Sequence, residues 1–181
     1  MTYPGASALS DEELIARGMT GAVHARKQPN RLAVISPSGN RTWRELNERA
    51  NKLARAFRTA GLRSGDAVAL LAHNSPEFIE VLAATQRAGL RLTAVNWQQS
   101  AELVGYVVDN CDAKALMASG RFVEGATQAL KAAPQLILKL SFAGSIDGFD
   151  DYETALARED GSDLTDGEAG STMLYTSGTT G

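Results

Sequence analysis

The chain has 181 residues, 44% hydrophobic and 22% charged, with a formal net charge of -3. It is long enough for one sizeable core or for part of a larger one. No apolar run reaches the roughly 20 residues that span a bilayer, and Asp11, Glu12 and Glu13 stand where a signal peptide would be basic and then greasy, so a cytoplasmic protein without a membrane span is expected.

Cys111 is the single cysteine, which excludes an internal disulfide and a Cys-rich zinc site and leaves it the role of a small buried filler. His24 and His73 lie far apart with no partner at ligand spacing, so no metal site is expected. Between Asp147 and Glu168 nine acids face one base, Arg158, a local balance of -8 against +5 for the rest. That stretch, rich in Gly, Ser and Thr, reads as a solvated surface connection. No Lys/Arg stripe with interleaved aromatics supports nucleic-acid binding.

In chain order, Ser10 to Glu13 is a capping box that predicts a helix start. Thr42-Trp43-Arg44-Glu45 repeats it before a clearer helix, in which Leu46, Ala50, Leu53, Ala54 and Phe57 form a core face and Gly61 a left-handed cap. Arg44, Glu48, Lys52, Arg55 and Arg58 form its wet face. Ala67 to Ala72 is a continuous apolar run, the pattern of a strand covered on both faces. Asn74-Ser75-Pro76 supplies an N-cap and first-turn proline for a helix through Phe78, Ile79, Val81, Leu82 and Ala83, closed by Gly89. Three further strands are predicted at Leu92 to Val95, Lys114 to Met117 and Leu136 to Leu140. Helices starting at Ser100 and at Phe122 alternate with them. This alternation predicts an α/β fold, a mostly parallel sheet flanked by helices, with ligands at the carboxyl ends of the strands.

The last strand candidate, Ser171 to Tyr175, runs directly into Thr176-Ser177-Gly178-Thr179-Thr180-Gly181. Glycines let backbone N-H groups approach an anion, and hydroxyls donate to it without a counter-charge; a plain polar turn has the same composition. A Walker A loop, a Gly-x-Gly-x-x-Gly loop and a nucleophile elbow all fail on spacing. Asn74 and Asn96, just after predicted strands, read as caps or turn residues more readily than as ligands. His73 reads as a structural histidine, with a substrate channel the other reading, and Trp43 and Trp97 read as packing residues.

Tyr175 to Gly181 resembles the first seven residues of the phosphate-loop signature of AMP-forming acyl-CoA synthetases and their adenylate-forming relatives, which normally continues with any residue, then Pro and Lys. Arg41 to Leu46, Gly65 to Ala69, Asn74 to Phe78, Ala88-Gly89, Val95-Asn96-Trp97 and Ala101-Glu102-Leu103 follow in the order of that family's N-terminal region, so the resemblance covers about Thr20 to Gly181. Ile146 to Tyr152 is similar to bacterial fatty-acyl members.

The resemblance implies a carboxylate attacking the α-phosphate of ATP, accompanied by Mg2+, to give an acyl-adenylate and pyrophosphate, followed by transfer of the acyl group to CoA. It assigns hydroxyl donors to Thr176, Ser177, Thr179 and Thr180, backbone access to Gly178 and Gly181, and no catalytic or metal-binding residue within the 181. Tyr175 is expected to be a packed strand residue. The family's loop lysine and its later motifs have no counterpart here. The resemblance therefore implies the N-terminal part of an AMP-binding domain, inactive alone, whose partners are a small-molecule carboxylic acid, such as a fatty acid, and the rest of its own chain. A homodimer is left open. An enzyme that loads a carrier protein and a truncated, non-catalytic binding module are the alternatives.

Overall fold

The computed structural model describes residues 8–175; Thr176 to Gly181, the candidate phosphate loop, lie outside the described residues. Two short helices, α1 (Asp11–Ala16) and α2 (Thr20–Lys27), lead into an antiparallel hairpin of β1 (Leu32–Ser36) and β2 (Gly39–Thr42). Helix α3 (Trp43–Thr59) follows at once. Both capping boxes form: the Ser10 and Thr42 hydroxyls accept from the amides of Glu13 and Glu45, whose carboxylates reach back to the cap amides. Gly61, at φ +97°, turns the chain out of α3 in the left-handed region that favours glycine.

The main sheet has six strands, all parallel. They are β3 (Ala67–Leu71), β4 (Arg91–Val95), β5 (Ala113–Ser119), β6 (Leu138–Phe142), β7 (Asp150–Asp151) and β8 (Ser171–Met173), in the spatial order β7-β6-β5-β3-β4-β8. Helices α4 (Pro76–Arg87), α5 (Ala101–Asn110), α6 (Val123–Ala132) and α7 (Tyr152–Ala157) complete the elements of the described residues. Every residue of β3 is buried, as its unbroken apolar run predicts. Its alternate side chains feed two cores. Val68 and Leu70 join Ala50, Leu53, Phe57 and Val81 on the α3/α4 face. Ala69 and Leu71 join Val104, Val108 and Ala126 on the α5/α6 face.

Order reverses between β3 and β5, neighbours whose following helices, α4 and α6, lie on opposite faces. The carboxyl ends of these two strands therefore flank the crevice where open α/β sheets take ligands.

The acidic stretch differs from its expected role as a solvated connection. It holds β7 and α7, then runs as a strap across the α3/α4 face to carry the chain from one edge of the sheet to the other, where β8 begins. The wet face of α3 is what it meets. Arg55 Nη1 donates to the carbonyls of Asp160 and Ser162 at 2.7 Å, and Arg58 Nη1 donates to Asp166 Oδ1 at 2.9 Å. Charge complementarity converts a polar segment into a fitted layer.

Candidate functional site

Strand β8 is only three residues long and pairs with β4 through Arg91↔Ser171, Leu92↔Thr172 and Thr93↔Met173. Met173 and Tyr175 pack against the α5/α6 core, whereas Leu174 between them is 72% exposed. The Tyr175 hydroxyl donates to Asn110 Oδ1 at 2.7 Å, tying the end of β8 to the end of α5. Tyr175 is thus a packed residue, as expected, but it lies two residues beyond β8, which ends at Met173 rather than running on to Tyr175. Because the strands of the main sheet run parallel, Tyr175 stands at the carboxyl edge of that sheet, and Thr176 is the next residue in the chain.

Beside it opens a cavity of about 800 Å³ between the ends of β4 and β8 and the side of α5, lined by Val95, Asn96, Gln99, Leu103, Tyr106 and Tyr175 among others. Its walls are mainly apolar. Asn96 reaches this edge, but its Oδ1 accepts from the Gln98 amide at 3.0 Å, the side-chain-to-backbone turn anticipated for it. Asn74 is exposed and precedes the true cap, Ser75, whose hydroxyl accepts from the Phe78 amide.

Three aromatic side chains meet over the crevice, each from the loop after a different central strand. His73 follows β3, Trp97 follows β4 and Phe122 follows β5. Trp97 stacks on Phe122 with centroids 5.5 Å apart, and His73 meets the same ring edge-on at 6.2 Å. His73 Nδ1 is buried and has no hydrogen-bond partner among the described residues. Sequence reasoning named His73 and Trp97 singly and passed over Phe122 as a helix residue. Topology is what joins them. Trp43 instead stacks on His24, with ring centroids 4.4 Å apart, and takes no part in this group.

Cys111 is 1% exposed, its thiol donates to the Val108 carbonyl, and burial pushes its pKa up, so it is the inert filler expected. Among the described residues no group of three or more His, Cys, Asp or Glu side chains gathers where a metal ion could be held, and no helix is long and apolar enough to cross a membrane.

Two buried polar centres were not legible as motifs. Glu80 on α4 is fully shielded and takes Arg41 Nε and Arg49 Nε on one oxygen, each at 2.7 Å, and the Tyr152 hydroxyl on the other at 2.9 Å. Asp163 on the strap accepts from the amides of Asn47 at 2.7 Å and Asn51 at 3.2 Å. A signal did exist: an arginine-rich α3 and nine acids elsewhere predict that the two should meet.

Comparison with known proteins agrees with this geometry. The profile of the family described as AMP-binding enzyme matches residues 22–181. The chain is 29% identical, over 90% of its length, to a fatty acid–[acyl-carrier-protein] ligase, ScoC, of Streptomyces coeruleorubidus, and 30% identical, over 84%, to a 3-oxocholest-4-en-26-oate–CoA ligase of Rhodococcus rhodochrous. It covers 30% and 29% of those proteins. Among solved structures, the anthranilate CoA ligase AuaEII in complex with anthranoyl-AMP superposes with a TM-score of 0.82 at 20% identity, over 96% of this chain and 35% of that one. A Mycobacterium tuberculosis fatty acyl CoA synthetase superposes with a TM-score of 0.75 at 21% identity, over 92% and 34%. By its matched residues and its parallel sheet, the chain belongs to the AMP-binding enzyme family, whose members here are acyl-CoA ligases, an acyl-carrier-protein ligase and related adenylate-forming proteins.

Proposed function

We propose that these 181 residues are the N-terminal part of an AMP-forming acid–CoA ligase that activates a lipophilic carboxylic acid. The reading rests on one relationship: a Thr-Ser-Gly-Thr-Thr-Gly run directly follows Tyr175, at the carboxyl edge of a parallel sheet, in a chain of the AMP-binding family. In the proposed reaction the acid's carboxylate attacks the α-phosphate of ATP, pyrophosphate leaves, and the CoA thiol then displaces AMP to give a thioester. Thr176, Ser177, Thr179 and Thr180 donate hydroxyls to the β- and γ-phosphates, and Gly178 and Gly181 give backbone N-H groups close access. Their contribution is positioning and electrostatic, with no covalent step. Mg2+ enters as the counter-ion of ATP.

The chain spans about 30% of the length of the curated relatives it matches, so the 181 residues alone are proposed to form no acyl-adenylate. The likeness to ScoC supports a second acceptor, a carrier protein. Mass spectrometry of products from the whole reading frame, given ATP, a fatty acid and either CoA or an acyl-carrier protein, separates the two. Acyl-CoA together with AMP is expected. Acyl-carrier protein as the sole thioester would replace CoA with the carrier, and no thioester with either acceptor would overturn the reading.

A further inference from the structure

We infer that Asn47, Asn51, Arg87 and Asp163 form a clamp that sets the register of β8, making them positioning residues for the loop that follows Tyr175. The inference rests on the phosphate-loop reading only for its functional meaning; the clamp itself stands on geometry.

All four residues are buried, at 0% exposure for the two asparagines, 1% for Arg87 and 5% for Asp163. Asn47 and Asn51 lie one turn apart on α3 and act as a relay. Each carboxamide oxygen accepts from Arg87 Nη1, and each carboxamide nitrogen donates to Asp163 Oδ1. A buried cation on α4 and a buried anion on the strap are thereby joined through two amides on a third element. Asn51 also donates to the Gly161 carbonyl at 2.9 Å, so the strap is gripped by backbone as well as side chain.

Arg87 is the last residue of α4, and from there the main chain continues the grip. The Glu168 amide donates to the Arg87 carbonyl at 3.1 Å, the Gly170 amide to the Gln86 carbonyl at 2.7 Å and the Ser171 amide to the Leu90 carbonyl at 3.0 Å. The next residues are already β8, in register with β4. At Gly170 a Cβ would lie 2.4 Å from the carbonyl oxygens of both Leu90 and Thr85, so only glycine passes there.

Strand β8 needs such a device. Its ladder covers three residue pairs on a sheet edge, too few to resist slippage unaided. A slip of one residue would turn exposed Leu174 inward and Tyr175 outward, breaking the bond to Asn110 and displacing Tyr175 along the strand by about 3.3 Å. Among the described residues the Tyr175–Asn110 bond ties the seam between Tyr175 and α5 at a single side-chain pair, whereas the strap is held at several points upstream.

The test is amide hydrogen exchange on the 181-residue chain without nucleotide, comparing residues 168–175 with β3 and β5. Asn51→Ala is expected to speed exchange in 168–175 at least tenfold while β3 and β5 change less than twofold. Gly170→Ala, which leaves the buried network in place and displaces the strap further on, should give the same local pattern. Leu53→Ala, a core truncation on the same helix, is the control for a merely structural role and should not single out 168–175. If Asn51→Ala raises exchange evenly across the sheet, or unfolds the chain, or matches Leu53→Ala, the clamp is refuted. Because no nucleotide is present, failure of the ATP reading leaves this result untouched, and loss of the local pattern leaves the ATP reading untouched.

Discussion

The phenol of Tyr152 donates to Glu80 Oε2 across 2.9 Å, joining the first turn of α7 to the middle of α4 with both groups shielded from solvent. Burial, then the charge of Glu80, holds the Tyr152 pKa well above its ordinary value of 10.0. In the unfolded chain that phenol ionises near pH 10, whereas in the folded chain it stays protonated, so its contribution is complete below about pH 10 and is lost as pH rises further. Tyr152→Phe should cost about 1–2 kcal/mol at pH 7 and flatten the loss of stability above pH 10. Denaturant titrations at pH 7 and pH 11 check both.

Glu80 is the more demanding position, because removing it takes a shared, fully shielded carboxylate from two partly buried guanidinium groups, leaving Arg41 with Glu77 and Arg49 with Glu153. Glu80→Ala should cost about 2–4 kcal/mol, more than Tyr152→Phe, because it removes three hydrogen bonds at once. Thermal unfolding of both variants side by side decides whether the carboxylate is the centre of this cluster.

The outer ion pairs of the strap should matter far less. Asp166 is held below the usual carboxylate range by the hydrogen bond from Arg58, but its side chain is 73% exposed. A lowered folded-state pKa gives stability that is present above about pH 4 and is lost as pH falls further. Arg58→Ala should therefore cost under about 1 kcal/mol at low salt, and less at high salt. Denaturant midpoints at two ionic strengths measure this.

Gly120 and Gly144 touch back to back where the chain leaves β5 and β6, and a Cβ on Gly120 would sit 2.5 Å from the Gly144 backbone. Gly120→Ala should cost about 1–3 kcal/mol and displace the Arg121-Phe122 turn. The change in Trp97 fluorescence, relative to a silent surface variant, reports the displacement through the Trp97–Phe122 stack.

The elements that were legible were those whose signal is local. Thr42 with Glu45, Ser75 with Pro76 and Ser100 announce helix starts through bonds within one turn, and the apolar run of β3 announces double burial by composition alone. The β1–β2 hairpin escaped notice because Leu32 and Ile35 are exposed and the alternation is weak. The strap escaped because its partners are more than 100 residues away: Asp163 is a surface acid until Asn47 and Asn51 are brought beneath it. The candidate loop rests on type and order of residues alone and lies outside the described residues, while the crevice of His73, Trp97 and Phe122 required the strand order.

Acid-dependent exchange of radiolabel between pyrophosphate and ATP measures acyl-adenylate formation without reference to the acceptor, and so tests the central claim most directly. The protein encoded by the whole reading frame should catalyse exchange with a lipophilic acid, Thr179→Ala should reduce it at least a hundredfold through lost phosphate contacts, and the 181-residue chain alone should show none. Absence of exchange from the whole protein with every carboxylic acid tried, or exchange by the 181 residues alone, would contradict the account.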